Sequence, residues 1–344
     1  MMRIFALIIA ILVLVGVSLG GSFLWDSFLL SPAKDATEVV IEVAPGASVD
    51  TITRTLKEKE IITSRFFFKT YVKLAHAESS LQAGRFTLKP KTSFHSVVST
   101  LSNAKANEVQ VTIPEGFTRD QIGATLSAAF SGVDTTSWKQ VTNAPTTLTQ
   151  GQELLAGIPS GQGLEGYLFP DTYRFRNDAD AKTVAETMVL TLQRRLAENA
   201  IVVPTHLVMP NGLTFHQVLT LASLVEKEVR APEDMAHVAG IFYTRLKIGM
   251  ALQADATVNY VTGKSDPAIS LKDQQVDSPY NTYQHLGLPP GPISNPGMNA
   301  IKAVLNPVDS DDLYYLTTPD GQVIYAKTFN EHVANKYRYM RGGG

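Results

Sequence analysis

The residues best suited to chemistry are two carboxylates, Glu226 and Glu228, in the stretch TFHQVLTLASLVEKEVR from Thr214 to Arg230. A carboxyl group works as a general acid only where its surroundings keep it protonated near neutral pH. The stretch scans as one amphipathic helix. At about 100° per residue, Phe215, Val218, Leu219, Leu221, Ala222, Val225 and Val229 form an apolar stripe, with His216, Thr220, Ser223 and Lys227 opposite. Glu226 has Arg230 at i+4, the favourable order for an ion pair, and is expected to stay ionised. Glu228 has no basic residue at i±3 or i±4. Its ridge neighbours are Leu221, Leu224 and Val225, a shoulder on which desolvation raises a carboxyl pKa. Glu228 is therefore the candidate general acid. The alternative is two solvated glutamates on a surface helix, and periodicity alone favours that alternative.

Several elements must position this helix. Asn211 or Thr214 can cap its start, and Ala231-Pro232 ends it, because proline disfavours helical geometry in the residue before it. Upstream, a polar loop region runs from Ser131 to Gly161, followed by the aromatic segment GLEGYLFPDTYRF and a helix from about Ala179 to Asn199. Downstream, EDMAHVAGIFYTRLKIG reads as a second amphipathic helix with Gly249 as its C-cap. Regular periodicity then fades. MALQADATVNY, SPYNTYQHLGLPPGPISNPG and LYYLTTPDGQVIYAKTFNEH are turn-rich, with strands expected at Tyr314 to Leu316 and Val323 to Ala326. The terminal Gly342-Gly343-Gly344 is expected to be a flexible end.

The chain has 344 residues, a net charge of -2 and 44% hydrophobic residues, enough for one large or two medium domains. No charge excess points to nucleic acid. The absence of cysteine excludes disulfides, thiolate chemistry and Cys-ligated metals. There is no P-loop, dinucleotide fingerprint, G-x-S-x-G or H-E-x-x-H, and the seven histidines have no partners at ligand spacing. Neither a metal nor a cofactor is expected. Carboxylates, amides and tyrosines remain, a set that suits a polyhydroxylated substrate.

The N-terminus speaks to location. An uncharged apolar run from Ile4 to Trp25 is long enough to span a bilayer, and Asp26 is the first charge beyond it. A cleaved signal peptide is the competing reading, and the length of the run favours an uncleaved anchor. Arg3 inside places the bulk of the chain on the outer face of the cytoplasmic membrane. Residues 26–37 read as a juxtamembrane linker. An internal repeat follows, VVIEVAPGASVDTITRTL (Val39 to Leu56) matching VQVTIPEGFTRDQIGATL (Val109 to Leu126), each a strand, a Gly turn, a Ser/Thr cap and a helix. A looser copy starts at Arg85-Phe86, with Ser93 in the cap position. A helix, RFFFKTYVKLA, follows Ser64, and its run Phe66-Phe67-Phe68 is expected in a core rather than as a sugar platform. The order strand, helix, helix, strand from Val39 to Leu88 resembles a LysM-type carbohydrate-binding module; a packing domain without ligand is the alternative. The expected architecture is α+β: an anchor over 1–25, the linker over 26–37, a LysM-like region over 38–130, and a mixed α+β domain over 131–344 holding the long central amphipathic helix.

EGYLFPDTY, LASLVEKE, LQADATVNY and SPYNTY…GLPPGPISNPG occur in this order and spacing. Together they resemble the endolytic murein transglycosylases of the MltG (YceG-like) type, over nearly the whole chain. The resemblance implies a lytic enzyme that cleaves the MurNAc-β-1,4-GlcNAc bond within peptidoglycan strands, leaves 1,6-anhydroMurNAc ends and terminates nascent glycan. It implies one essential glutamate, the second of the E-K-E motif, which falls on Glu228. One departure is Ala256, where many relatives have proline after the aspartate of Gln-Ala-Asp. Gln253, Asn281 and Tyr283 are the candidates for holding substrate N-acetyl and hydroxyl groups, with Glu165 and Tyr167 behind them; loop bracing is the alternative for each. Asp255 is expected to brace its loop, and GLPPGPISNPG to wall the cleft. The implied partners are peptidoglycan strands, the membrane through residues 4–25, and cell-wall synthases such as penicillin-binding proteins. A non-catalytic peptidoglycan-binding scaffold and a hydrolytic muramidase are the competing functions.

Overall fold

Alternation and capping explain the first part of the chain. In β1 (Val39–Val43) Ile41 and Val43 point inward and their neighbours outward. Gly46 then takes a left-handed φ of 74°, and the Ser48 side chain accepts from Thr51 N at 3.2 Å to open α2 (Val49–Glu58). A second helix, α3 (Arg65–Leu74), is capped by Ser64, and β2 (Gly84–Leu88) returns antiparallel to β1 in the register Ile41↔Phe86 and Val39↔Leu88. The expected strand-helix-helix-strand order is present. The looser repeat copy also forms: Ser93 caps α4 (Phe94–Ser102). Ile41, Leu56, Phe68, Val72, Phe86, Phe94 and Leu101 make the core of this part.

The structure is a computed structural model that describes all residues except 1, 45, 104–107, 130–131, 177–178, 204–208, 210–211, 265–268 and 341–344, and except the side chains of residues 2 and 3. The Arg3 side chain, the Asn211 cap and Gly342 to Gly344 thus lie outside the described residues. The chain divides into two compact units, residues 1–109 with 174–178, and residues 110–173 with 179–344.

The first unit begins with α1 (Met2–Leu24), and the segment from Ile4 to Leu29 is long and apolar enough to cross a membrane. The expected linker does not start free. Trp25–Leu29 forms a π-helical turn that continues α1, Ser27 is buried, and Asp26 Oδ2 accepts from Thr63 Oγ1 at 2.5 Å. Of the phenylalanine run expected in the core, only Phe68 is fully enclosed; Phe66 is 73% exposed.

Further along the chain, β3 (Glu108–Thr112) pairs with β4 (Thr172–Arg176). Between them lie α5 (Arg119–Ala129), α6 (Thr135–Asn143) and the short α7 (Gln152–Leu155). Gly116 repeats the left-handed φ of Gly46, at 75°, and Thr118 and Gln121 exchange capping bonds at the start of α5. Then come α8 (Ala181–Glu198), α9 (Phe215–Glu228), α10 (Pro232–Lys247), α11 (Asp255–Thr262) and α12 (Met298–Leu305). The antiparallel hairpin of β5 (Tyr314–Thr317) and β6 (Val323–Ala326) precedes α13 (Phe329–Met340).

The central helix α9 differs from the amphipathic reading. It opens as expected, with a capping box between Thr214 and Gln217. Yet His216, Thr220 and Ser223, assigned to a polar face, are buried along with the apolar stripe. Each has been given a partner. His216 Nδ1 meets the Tyr167 hydroxyl and its Nε2 meets the Pro290 carbonyl, both at 3.1 Å. Thr220 Oγ1 donates to the His216 carbonyl at 2.8 Å, while Ser223 Oγ donates to the Thr220 carbonyl at 2.7 Å and accepts from Ile293 N at 3.0 Å. A polar face can be buried when neighbouring segments satisfy its hydrogen bonds. The GLPPGPISNPG run supplies several of them, and it comes close because Gly166, at a φ of 85°, has no Cβ to meet Pro292 Cγ at 2.4 Å.

Candidate active site

Glu228 is the last residue of α9. Val229 is already extended, as is Ala231 ahead of Pro232 at the start of α10, so Arg230 falls outside the helix. The expected i+4 pair of Glu226 with Arg230 therefore does not form. Glu226 Oε2 instead accepts from Gly297 N at 2.9 Å, at the N-terminus of α12, where a helix favours negative charge. Burial raises the Glu226 pKa to about 7; the Gly297 bond opposes this and the charge of Glu115 adds to it. Glu226 does not line the cleft described next. Glu226→Ala is expected to lower stability by about 1–2 kcal/mol through loss of this bond, with turnover retained. Unfolding titrations and kcat measured side by side check it; a dead, stable variant would mean the two carboxylates have been assigned the wrong way round.

Glu228 lines a cleft of about 1230 Å³ together with Arg245, Gln253, Asp255, Tyr283 and Tyr315. The carboxyl is surrounded by protein but keeps part of its surface open to the cleft. Burial raises its pKa to about 7. The nearby Tyr315 hydroxyl opposes the rise, the charge of Asp255 adds to it, and the charge of Arg245 opposes it. A carboxyl poised at that value can both give and take a proton near neutrality.

Three segments remote in sequence converge here. Arg245, in the last turn of α10, is buried; its Nε donates to the Leu313 carbonyl at 2.7 Å and its Nη1 to the Leu252 carbonyl at 2.6 Å. It thereby ties the start of β5, which carries Tyr315, to the loop that carries Gln253. The 253–257 and 281–283 segments are stitched by Gln253 N to Thr282 O at 3.2 Å, Ala254 N to Thr282 Oγ1 at 3.0 Å and a Thr257–Thr282 hydroxyl contact at 3.0 Å. Across them the Tyr283 hydroxyl donates to Asp255 Oδ1 at 2.5 Å. Gln253 has a φ of 50°, left-handed backbone that costs a non-glycine residue about 1–2 kcal/mol, and its side chain is exposed on the cleft.

The candidate substrate residues therefore separate. Gln253 and Tyr283 share the cleft with Glu228. Asn281 does not: it is buried, its Nδ2 donates to the Gln274 and Val276 carbonyls at 3.0 and 2.8 Å, and its Oδ1 accepts from Tyr283 N at 3.0 Å. Its side chain is spent on bracing the loop. Tyr167 is also buried, with its hydroxyl on His216, and does not reach the cleft. Glu165 does line the cleft, 8% exposed, and accepts from Arg119 N and Asn295 Nδ2, both at 2.9 Å. Burial raises its pKa to about 7 against the bond and charge of Arg119. Asp255, expected as a brace, is held by Tyr283 but also lines the cleft with Glu228, as do Glu165 and Asp120.

Tyr315, Arg245 and Asn295 are the residues that sequence reasoning missed. Tyr315 sits in a four-residue strand and Arg245 on a helix where a basic residue reads as solvated. Asn295 binds Phe117 O, Leu168 N and Glu165 at once, within a run read only as a rigid wall. Among the described residues, no group of three or more His, Cys, Asp or Glu is placed to hold a metal ion.

The model of the YceG-like family matches residues 41–338. The chain is 36% identical over 338 residues to an endolytic murein transglycosylase of Bacillus subtilis, covering 94% of this chain and 91% of that protein. It is 31% identical over 346 residues to an endolytic murein transglycosylase of Streptococcus pneumoniae, covering 92% of this chain and 61% of that longer protein. A crystal structure of a yceG-like protein from Listeria monocytogenes superposes with a TM-score of 0.58 at 32% identity, covering 87% of this chain and 99% of that one.

Proposed function

The chain belongs to the YceG-like family, and from that premise we propose that it is a membrane-anchored endolytic lytic transglycosylase of peptidoglycan, with Glu228 as its acid and base. The observation that carries this reading is the carboxyl at the end of α9, which lines the cleft together with Gln253, Tyr283 and Tyr315 and is held towards its protonated form by burial. Protonated Glu228 donates to the glycosidic oxygen between MurNAc and GlcNAc as the C1–O bond breaks towards an oxocarbenium-like state. The carboxylate left behind takes the proton of the C6 hydroxyl of the same MurNAc, whose oxygen closes onto C1. The products are a GlcNAc 4-hydroxyl and a 1,6-anhydroMurNAc end. No water is consumed, and Glu228 regains its proton. Gln253 and Tyr283 offer an amide and a phenol to substrate hydroxyl and N-acetyl groups from the same cleft. Residues 4–25 hold the enzyme at the outer face of the cytoplasmic membrane, where it trims or terminates new strands beside the synthases. The strand-helix-helix-strand module from Val39 to Leu88 adds weak glycan binding.

A second reading has a specific observation behind it. Asp255 shares the cleft and acts electrostatically on Glu228. A second carboxylate able to orient water or stabilise a cation is what a hydrolytic muramidase uses. Digestion of purified glycan, with mass analysis of the new ends, separates the two. Ends lighter by one water support the transglycosylase; reducing ends that take up label from ¹⁸O water overturn it in favour of hydrolysis. No cleavage by the full chain leaves a peptidoglycan-binding scaffold.

Gln253→Gly tests substrate contact apart from folding. Relief of the left-handed backbone roughly offsets the about 0.5–1 kcal/mol entropy cost of glycine, so stability stays nearly level. A lost neutral hydrogen bond of about 0.5–1.5 kcal/mol lowers kcat/KM about 2–10-fold. Unchanged kcat/KM would assign Gln253 to the loop alone.

A further inference from the structure

The sequence of α3, RFFFKTYVKL, contains no acidic residue. Phe68 and Val72 face the core, while Phe66 is 73% and Leu74 66% exposed. Arg65, Lys69 and Lys73 are exposed beside them. Asp50 of α2 reaches Arg65 at 3.4 Å and Lys69 at 2.9 Å. The free face of α3 thus combines two large apolar side chains with a flank of cations. Water is a poor solvent for the first, and among the described residues of the first unit nothing covers them.

The contacts of α3 with α1 say where that face lies. Phe67 meets Phe23 of α1 edge-on at 5.7 Å between ring centroids, and Phe66 lies 5.8 Å from Phe67. Just before α3, Thr63 binds Asp26; within it, Tyr71 packs edge-on against Phe28 at 5.9 Å. So α3 is fixed at two points to the exit of α1, with no free tether between. The 23 residues of α1 rise about 35 Å at about 1.5 Å each, slightly more than a hydrocarbon core of about 30 Å. Phe23 is therefore at the depth where the chain leaves the hydrocarbon, and the rings packed edge-on beside it are close to the same depth. Trp25, 55% exposed, belongs to the same level.

We propose that α3 rests in the headgroup layer of the bilayer that α1 crosses, with Phe66 and Leu74 inserted and Arg65, Lys69 and Lys73 directed to lipid phosphates. Amphipathic helices with aromatic and aliphatic residues on one side and Lys/Arg along the flank bind membrane interfaces in this way, their long basic side chains snorkelling outward. The proposal rests on the reading of α1 as a spanning helix. It makes the first unit a membrane-surface body, held at fixed depth at the point where α1 leaves the bilayer.

The chain has no cysteine, so single-cysteine variants of the full chain can carry an environment-sensitive fluorophore. Three positions in proteoliposomes containing anionic lipid suffice: Phe66→Cys, Val13→Cys in α1, and Leu271→Cys, which is 80% exposed in the second unit. All three are exposed, so folding is not at stake. The expected result is a blue-shifted Phe66 probe, quenched by nitroxide lipid and protected from aqueous iodide, with Val13 lipid-buried and Leu271 open to iodide. A Val13 probe in lipid with a Phe66 probe fully open to iodide overturns the docking and leaves the anchor intact. A Val13 probe open to iodide overturns the anchor, and the docking with it. Lipid burial of the Leu271 probe as well would signal adsorption of the whole chain and defeats the assignment to α3.

Discussion

Glu228→Gln lowers kcat on glycan strands by about 10²–10⁴-fold, the usual worth of a positioned general acid, while the melting temperature stays near that of the parent. The amide is neutral, as Glu228 is on the acid side of its raised pKa of about 7, so it fits the same enclosed site. What it lacks is a proton that can be transferred and a basic oxygen to recover one. The pH profile carries the same information in the parent enzyme. The acid form starts the reaction, so kcat/KM on the alkaline side falls as the pH passes about 7. The Tyr315 hydroxyl beside Glu228 favours the carboxylate, so its removal raises the pKa of Glu228 further, and Tyr315→Phe moves the alkaline limb to higher pH. Full activity in folded Glu228→Gln protein, or an alkaline limb unmoved by Tyr315→Phe, would falsify the assignment of Glu228 or of its partner respectively.

The second large effect is on stability. Arg245→Met is expected to lower the unfolding free energy by about 3–6 kcal/mol, because two short bonds to buried carbonyls are lost at about 1.5–3 kcal/mol each for a charged donor. That is a large share of the about 5–15 kcal/mol typical of a folded protein. Methionine fills the aliphatic path of the side chain and leaves the Leu252 and Leu313 carbonyls without their guanidinium donor. The loops that carry Gln253 and Tyr315 then lose their common tie, so activity drops even where the chain remains folded. Arg245→Lys separates charge from geometry. A single ammonium cannot reach both carbonyls as the planar guanidinium does, so it too should lose most of the stability. Chemical denaturation measures both; a loss under about 1 kcal/mol in Arg245→Met would show that these bonds are replaced by water.

Much of the local structure was legible because it is encoded within a turn or two of chain. The cap at Thr214, the left-handed glycine at Gly249 and the strands at Tyr314 and Val323 all follow from neighbouring residues, whereas α9 ends at Glu228, before the stop expected at Ala231-Pro232. So does the repeated strand-turn-helix, whose glycines Gly46 and Gly116 share one backbone conformation. Short helices were not legible. The segments forming α11 and α12 are eight residues each, too short for a hydrophobic period to stand out, and they were read as turn-rich.

The amino-acid sequence by itself determined the family, the apolar N-terminal helix, the start of α9 after Thr214 and the lack of a helical counter-charge beside Glu228. Those features depend on residue order and on contacts within four residues along a helix. Only the tertiary structure decided what surrounds that acid. It turned Asn281 and Tyr167 inward, gave Glu226 to the start of α12 instead of to Arg230, and brought Tyr315 onto Glu228. It also placed Asp255 in the same cleft. The Arg245 bond that organises the cleft joins residues 68 positions apart. Periodicity reports which face of a helix a residue occupies, but not which distant segment will pack there, and the pKa of a buried carboxyl is set by that segment.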